Sequence, residues 1–316
     1  MLGFLKWFFN KIAVSATILI GITFLSFLLT CFCPSDAAEI LLESKGNPYT
    51  QEYLETVRED MGLNDPMLTQ YLRWMKNALR GDMGISLQDG QPVLQQLFKY
   101  LPNTLLLTFV SLAITVVIST VVGIYCATHT NRIGDYIIRV LSYINSALPS
   151  FFLALAMLYI FAVKLRWFKV SATPDFKGMV LPVALLVFGG ASSYIRQIRA
   201  IVLEQLSQDY VSGCYARGMK KSWVFYRHVL KNSLIPIITL VGMSFGGMLG
   251  GSSIIETIFN WKGVGLYALS SIKALDIPVI QAYVVWMAII FLSVNVIVDT
   301  LCAALNPKVR RAQKGS

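Results

Sequence analysis

The sequence predicts an all-α membrane protein: six transmembrane helices with a small helical insert after the first. Three observations carry that reading. Of 316 residues, 55% are apolar and 14% are charged, where a soluble domain carries roughly 25% charged residues. The mean hydropathy is +0.61. The apolar residues also fall in long uninterrupted runs, each near the ~20 residues that a helix needs to cross a hydrocarbon core. A soluble globular protein, a disordered chain and a disulfide scaffold are excluded on these grounds.

The runs free of charge are Ile12 to Phe32, Thr104 to Cys126, Val140 to Val163, Met179 to Ile195, Leu234 to Ile255 and Ile277 to Val298. None shows strand alternation, so helices are expected rather than a barrel. The first is longer than the ~7–15 residues of a signal-peptide core and lacks a small-residue cleavage site after it, so it is expected to stay as a helix. The chain is thereby divided into 1–32 (N-terminus and first span), an insert at 33–103, a transmembrane core at 104–298 and a tail at 299–316.

Loop charge sets the expected orientation. With both termini cytoplasmic, the inner segments 1–11, 127–139, 196–233 and 299–316 sum to +11 and the outer segments to −1, as the positive-inside rule requires. The segment 164–178 runs against it, with Lys164, Arg166, Lys169 and Lys177 against one aspartate. The net charge of +10 therefore needs no nucleic acid as a partner.

The insert at 33–103 holds 10 acidic and 6 basic residues and is expected outside. Leu68, Tyr71, Leu72, Met75 and Leu79 recur at helical spacing. Asp65-Pro66 reads as the start of that helix, with a cap residue before a first-turn proline, and Gly81-Asp82-Met83-Gly84 as its end. The insert is either a cap on the outer membrane surface or a docking surface for a protein that delivers substrate.

The segment 196–233 reads as a helix–turn–helix at the cytoplasmic face. Ile198, Ile201, Val202, Leu206, Tyr210 and Val211 keep an apolar face, Ala216-Arg217-Gly218-Met219 is a glycine stop, and a second stretch, Ser222 to Leu230, leads to Pro236, where the next span is expected to begin. The cysteines at 31, 33, 126, 214 and 302 have no metal-binding spacing and read as small buried hydrophobes.

No catalytic constellation is visible. His129 and His228 stand far apart in sequence, and Gly213 to Lys220 misses the phosphate-loop pattern because Met219, not lysine, follows Gly218. No ATP site is expected, and no cofactor or metal bound by this chain. The spans also lack the mid-depth ionisable residues common in ion-coupled carriers; Glu256 and Asp299 stand at span ends. Polar residues within spans are mild: Asn145, Gln281 and Asn295. The run from Gly242 through Met243, Gly246, Gly247 and Gly250 to Gly251 suits close helix packing or a helix that lines or gates a passage. A six-helix chain with no energy source of its own suggests one component of a larger transporter.

The residues from Gln208 through Asp209, Tyr210, Val211, Ser212, Gly213, Cys214, Tyr215, Ala216, Arg217 and Gly218 to Met219, with Arg227-His228-Val229-Leu230-Lys231-Asn232 running on to Pro236, resemble the cytoplasmic signature of ABC importer permeases in its dipeptide/oligopeptide/nickel form. They depart from the general Glu-Ala-Ala form, since Ser212, Gly213 and Cys214 occupy those positions. Leu101-Pro102-Asn103-Thr104, Gly81-Asp82-Met83-Gly84 with Ser86, Gly263 with Gly265, Asp276 with Pro278, and the tail from Asn306 to Arg310 extend the resemblance over nearly the whole chain. It implies a type I ABC importer permease fold in the bacterial inner membrane. The implied partners are a second homologous permease, two cytoplasmic ATPases that carry ATP-Mg, and an extracytoplasmic binding protein. A coupling helix around 211–224 is implied, with Asp209, Tyr210, Ser212, Gly213, Cys214, Ala216, Arg217, Gly218 and Met219 as docking residues. Asp36-Ala37-Ala38-Glu39-Ile40 is similar to nickel or metal-chelate members, with peptides as the other cargo. The competing readings are a self-sufficient secondary carrier or channel and a membrane receptor or assembly protein. An interfacial helix on anionic lipid is the alternative for 211–224.

Overall fold

A computed structural model describes residues 2–32, 36–44 and 48–305. Cys33 and the tail motif from Asn306 to Arg310 lie outside the described residues. The described chain is helical, with no β-strand and an isolated bridge between Ile85 and Pro92. In order come α1 (Leu2–Cys31), α2 (Ala37–Ser44), α3 (Gln51–Met61), α4 (Met67–Leu79), α5 (Val93–Thr128), α6 (Ile133–Ala147), α7 (Ser150–Met157), α8 (Phe176–Leu206), α9 (Asp209–Ala216), α10 (Lys221–Val224), α11 (Leu230–Phe259), α12 (Val264–Lys273) and α13 (Ile277–Leu305). π-helical turns at Leu158–Lys164 and Phe225–Val229 extend α7 and join α10 to α11.

Five helical stretches are long and apolar enough to cross a membrane: Trp7–Cys31, Val93–Thr128, Phe176–Leu206, Lys221–Phe259 and Ile277–Ala303. The sixth expected span, Val140 to Val163, is not one rod. It breaks between α6 and α7 with a bend of 98°. Pro149 causes the break. It cannot donate a backbone hydrogen bond, and its ring drives the preceding residue out of the helical region; Leu148 accordingly sits at φ −86, ψ 133.

The chain divides into two compact units. One comprises Met1–Phe8, Leu105–Trp261 and Val294–Ser316. Its core gathers Leu107, Ala154, Leu185, Ile195, Phe259 and Trp261 around α8. At one end of α8, Asp175 accepts from the Gly178 amide at 2.6 Å and the Thr173 hydroxyl at 2.8 Å. Those bonds, the amide first, hold its carboxyl below the usual range. Towards the other end, Arg199 of α8 donates to both oxygens of Asp135 on α6, at 2.7 and 2.9 Å. Asp135 is fully buried; Arg139 stands at 3.5 Å and the Asn131 amide donates at 3.1 Å. A carboxylate in such a place is tolerable only with this many partners.

The other unit comprises Phe9–Thr104 and Lys262–Ser293. Helices α2 and α3 close a small core of Ala38, Leu42 and Leu54, braced by ion pairs of Arg58 with Asp36 and Glu55. Helix α4 begins one residue later than expected: Pro66 is its N-cap, without a side-chain cap bond. Asp65 instead pairs with Arg73. Of the five apolar positions on α4, only Tyr71 is buried, and Leu68, Leu72 and Leu79 are exposed. The reason is the side on which α4 rests. Tyr71 and Trp74 turn to α1, where the Tyr71 phenol meets the Thr23 hydroxyl at 3.0 Å and Phe27 packs on both rings.

Two distant fragments of the sequence meet in this unit. Asp276, almost fully buried between α12 and α13, accepts from the Ser86 hydroxyl at 2.5 Å and the amides of Leu87 and Gln88 at 3.2 and 3.4 Å. A Cβ at Gly84 would touch Pro278 at 3.6 Å. The carboxylate thus clamps the loop between α4 and α5. Burial, then the nearby Asp89 and Asp276, pushes the Tyr267 phenol up, so it stays neutral beside them.

Two outcomes follow from the buried carboxylates. Asp135→Ala leaves Arg199 unpaired and costs about 3–5 kcal/mol, read as a lower thermal unfolding midpoint in detergent. Asp276→Ala removes charge-assisted bonds each worth about 1.5–3 kcal/mol, so hydrogen exchange at the Leu87 and Gln88 amides accelerates at least about tenfold while the α2–α3 amides keep their rates.

Candidate functional site

The candidate docking residues form a compact feature. Helix α9 ends in a left-handed turn: Gly218, at φ +75, donates to the Tyr215 carbonyl at 2.9 Å and Met219 to the Cys214 carbonyl at 3.2 Å. This is the Schellman pattern, which satisfies the last carbonyls of a helix and favours glycine at the left-handed position. The expected helix over 211–224 is therefore two helices, α9 and α10, separated by Arg217 to Lys220. The second does not end at Leu230, as the expected stretch did. It runs through the π-helical turn into α11, giving one continuous helical stretch from Lys221 to Phe259 that contains Pro236.

The feature is fastened to the unit on one side and open on the other. Val211 and Val224 are buried against Ile198, Val202 and Val229, with Tyr210, Cys214 and Met219 packed on that cluster. The Tyr210 hydroxyl donates to the Gln205 side chain at 3.1 Å. Asp209, Ser212, Gly213, Ala216, Arg217 and Gly218 face out. A Cβ at Gly218 or Gly213 would meet nothing within 4 Å. So the predicted residues separate into an anchoring set and a free set on the same short helix and turn.

The pathway candidates make separate local contacts within their own units. Asn145 ties α6 to α8, its amide donating to the Phe188 carbonyl and the Ser192 hydroxyl at 2.7 Å each. Gln281 belongs to the other unit, where it is buried and donates to Thr30 of α1 at 2.7 Å. Asn295 is half-buried on α13. On α11, Gly242 lies against α13, since a Cβ there would meet Val298 at 2.4 Å. The opposite positions are open: Met243 is 71% exposed, and Gly247, Gly250 and Gly251 have room for a Cβ with nothing within 4 Å. Gly246 is half-buried between these faces. Within the glycine run, Gly242 packs closely on α13 while Gly247, Gly250 and Gly251 stand open.

Sequence reasoning passed over a second polar feature. Thr104, Thr108, Ser111, Thr115 and Ser119 are all fully buried along one side of α5, at steps of three and four. Gly190 of α8 approaches this stripe closely, a Cβ there meeting Thr115 Cγ2 at 3.2 Å and Met248 Cε of α11 at 2.6 Å. Small side chains let three helices pack tightly here. The spacing was present in the sequence, and would have been found by tracing hydroxyls rather than amides and glycines through the spans. The cysteines were misplaced in part: Cys126 is buried, but Cys31 is exposed and Cys214 and Cys302 are half-buried.

Comparison with known proteins gives the geometry its context. A model described as "Binding-protein-dependent transport system inner membrane component" matches residues 119–311, and one for the N-terminal part of such membrane components matches residues 4–108. The glutathione transport system permease protein GsiC of Escherichia coli (strain K12) is 32% identical over 289 residues, covering 92% of this chain and 94% of that protein. The metal-staphylopine import system permease protein CntB of Staphylococcus aureus (strain NCTC 8325 / PS 47) is 33% identical over 310 residues, covering 98% and 99%. Among solved structures, an inward-facing crystal form of the MetNI methionine ABC transporter matches with a TM-score of 0.54 at 16% identity, over 67% of this chain and 97% of that one. That likeness shows the fold. The chain belongs to the binding-protein-dependent transport system inner membrane components, the permease subunits of ABC importers.

Proposed function

We propose that this permease forms half of an ATP-driven import pathway and that α9 with the Gly218 turn is the coupling element seated on a cytoplasmic ATPase. The other half of the pathway is a second, homologous permease. Two ATPases bind and hydrolyse ATP-Mg, and this chain binds no cofactor. Both termini lie in the cytoplasm, and the insert lies outside, where a binding protein delivers cargo. The cargo is a metal chelate or a short peptide, the class named for the relatives that handle metal–staphylopine and glutathione.

The observation that supports this most is the build of the coupling element. Its inner side is locked to α8 and α11, while Arg217, Gly218 and the exposed residues of α9 stand free. From the turn, helix continues without interruption into a membrane span. A push on the turn is therefore delivered to the span rather than absorbed in a loose linker. ATP-driven closure then favours one arrangement of the spans, provided that the ATPases bind the two states with different free energies. The open side of α11 around Met243, Gly247 and Gly250 suits the second permease or the passage between the two.

Binding the cargo needs little from this chain. A bare metal ion would want convergent carboxylate, imidazole or thiolate ligands, and among the described residues no cluster of three such groups exists. A chelated metal or a peptide asks only for a roomy, mildly polar route, with selectivity in the binding protein.

Two experiments test this. Gentle-detergent purification of the chain from its own membrane, read by mass spectrometry, recovers a second permease and ATPase subunits; recovery of the chain alone across several detergents overturns the assembly. Gly218→Trp fills the docking turn and forces a left-handed backbone on a bulky residue. Loss of about 1.4 kcal/mol of docking energy already weakens the assembly roughly tenfold. Uptake in cells therefore falls by at least that factor while membrane insertion is unchanged. Gly218→Asn, which tolerates the left-handed turn, keeps most of the uptake. Full uptake by the tryptophan variant sinks the coupling assignment.

A further inference from the structure

Helix α4 has an apolar arc wider than the protein surface it covers. At about 100° per residue, Tyr71, Trp74 and Ala78 fall together on one side of that arc, and Leu68, Leu72 and Leu79 on the other. The first three pack against the protein. The leucines do not: they are 62%, 57% and 81% exposed. Opposite both lie Gln70, Arg73, Lys76 and Asn77, so the polar residues of the helix are collected on the remaining arc.

The level at which α4 meets α1 says what covers the leucines. Lys11 is the last charge before the apolar run of α1. From there about 20 residues at a rise of about 1.5 Å cross a core of about 30 Å, which places the far boundary near Cys31, where α1 ends. Thr23 then lies about 12 Å inside that boundary and Phe27 about 6 Å inside it. Tyr71 of α4 reaches Thr23 at 3.0 Å and stands 5.3 and 5.5 Å, ring to ring, from Phe24 and Phe27. A helix with side chains has a half-width of about 5–6 Å, so the axis of α4 is held at or just below the edge of the hydrocarbon. At the same depth α1 itself leaves Leu25 and Leu29 open, at 56% and 65%.

The geometry points to α4 as an interfacial membrane helix, with its Leu68–Leu72–Leu79 stripe covered by lipid acyl chains of the leaflet in which α1 ends. An amphipathic helix with leucine and tryptophan on one arc and basic residues on the other settles about 5–10 Å into the boundary between headgroups and chains, which is the depth that the Tyr71–Thr23 contact imposes. Lys76, exposed on the polar arc, is then at headgroup level. The insert is accordingly not a wholly aqueous cap. One of its helices is a membrane-embedded foot, and the occupant of its open face is lipid rather than a delivering protein.

Site-directed spin labelling tests this on the full-length chain with its native cysteines replaced. Single nitroxides at Leu68, Leu72, Leu79 or Lys76 are examined in nanodiscs of phosphatidylethanolamine and phosphatidylglycerol, with Leu25 of α1 as the hydrocarbon reference. Collision rates with oxygen and with a water-soluble nickel chelate are compared. Oxygen is expected to dominate at the three leucines as at Leu25, with an oxygen-to-chelate ratio at Leu72 at least about fivefold above that at Lys76. Chelate dominating at Leu72 and Leu79 would put the stripe in water and overturn the proposal. Low collision rates with both reagents would show it covered by protein, and would overturn it in favour of a second copy of the chain.

Discussion

Hydrocarbon offers a peptide group nothing to bond to, and almost every feature of this chain follows from that constraint. Backbone polar groups inside a bilayer must be paired within the segment that carries them, so the chain crosses as helices, and any departure from helix must find partners nearby. The break at Pro149 shows how little departure is allowed. Leu148 donates back to the Asn145 carbonyl, and the amides of Phe152 and Leu153 return to the Pro149 carbonyl at 3.1 and 3.2 Å. The bend is sharp, yet these bonds continue on both sides of it. The π-helical turns obey the same rule, since they shift the bonding by one residue without leaving the helix.

The two buried carboxylates are held to a similar standard. Asp135 is buried with an arginine, a second arginine nearby and a backbone amide; Asp276 is buried with a hydroxyl and two amides. Each joins segments that are distant in sequence, α6 to α8 in one case and the insert loop to the α12–α13 corner in the other. Both carboxylates give specificity of position. A hydrophobic contact tolerates a slip of a residue, whereas a buried carboxylate with three donors does not.

Much of the fold was legible in the sequence because membrane spans are written in composition. Charge-free runs located the long apolar helices of the core, though not α12 (Val264–Lys273), and Gly218 marked the turn after α9. What was not legible was set by contacts that composition does not encode. The apolar spacing on α4 showed a helix but not which part of the apolar arc would meet α1. The run from Val140 to Val163 looked continuous because hydropathy is blind to the backbone effect of Pro149. The expected division between the stretch Ser222 to Leu230 and a span beginning near Pro236 differs in the opposite way: a proline in a long helix can be carried when neighbours and a local π-helical turn absorb the strain. For the candidate site, the ordered residues from Asp209 to Met219 marked a segment that folds as one short helix and its turn. They could not separate Val211 and Cys214, which anchor it, from Arg217 and Ser212, which stand free. Gln281 was chosen for its polarity alone, and its amide is used up on Thr30.

The uninterrupted helix from Lys221 to Phe259 carries a mechanical implication. At about 1.5 Å per residue it is a rod of about 58 Å, with the Gly218 turn at its root. Pivoting such a rod by about 5° sweeps its far end through about 5 Å, comparable to one helical pitch. Under the coupling role proposed above, a small displacement at the root is thereby geared up into a larger shift at the far end. The π-helical turn and Pro236 lie close to the root rather than midway along, so the features that can bend such a helix are gathered near the Gly218 turn.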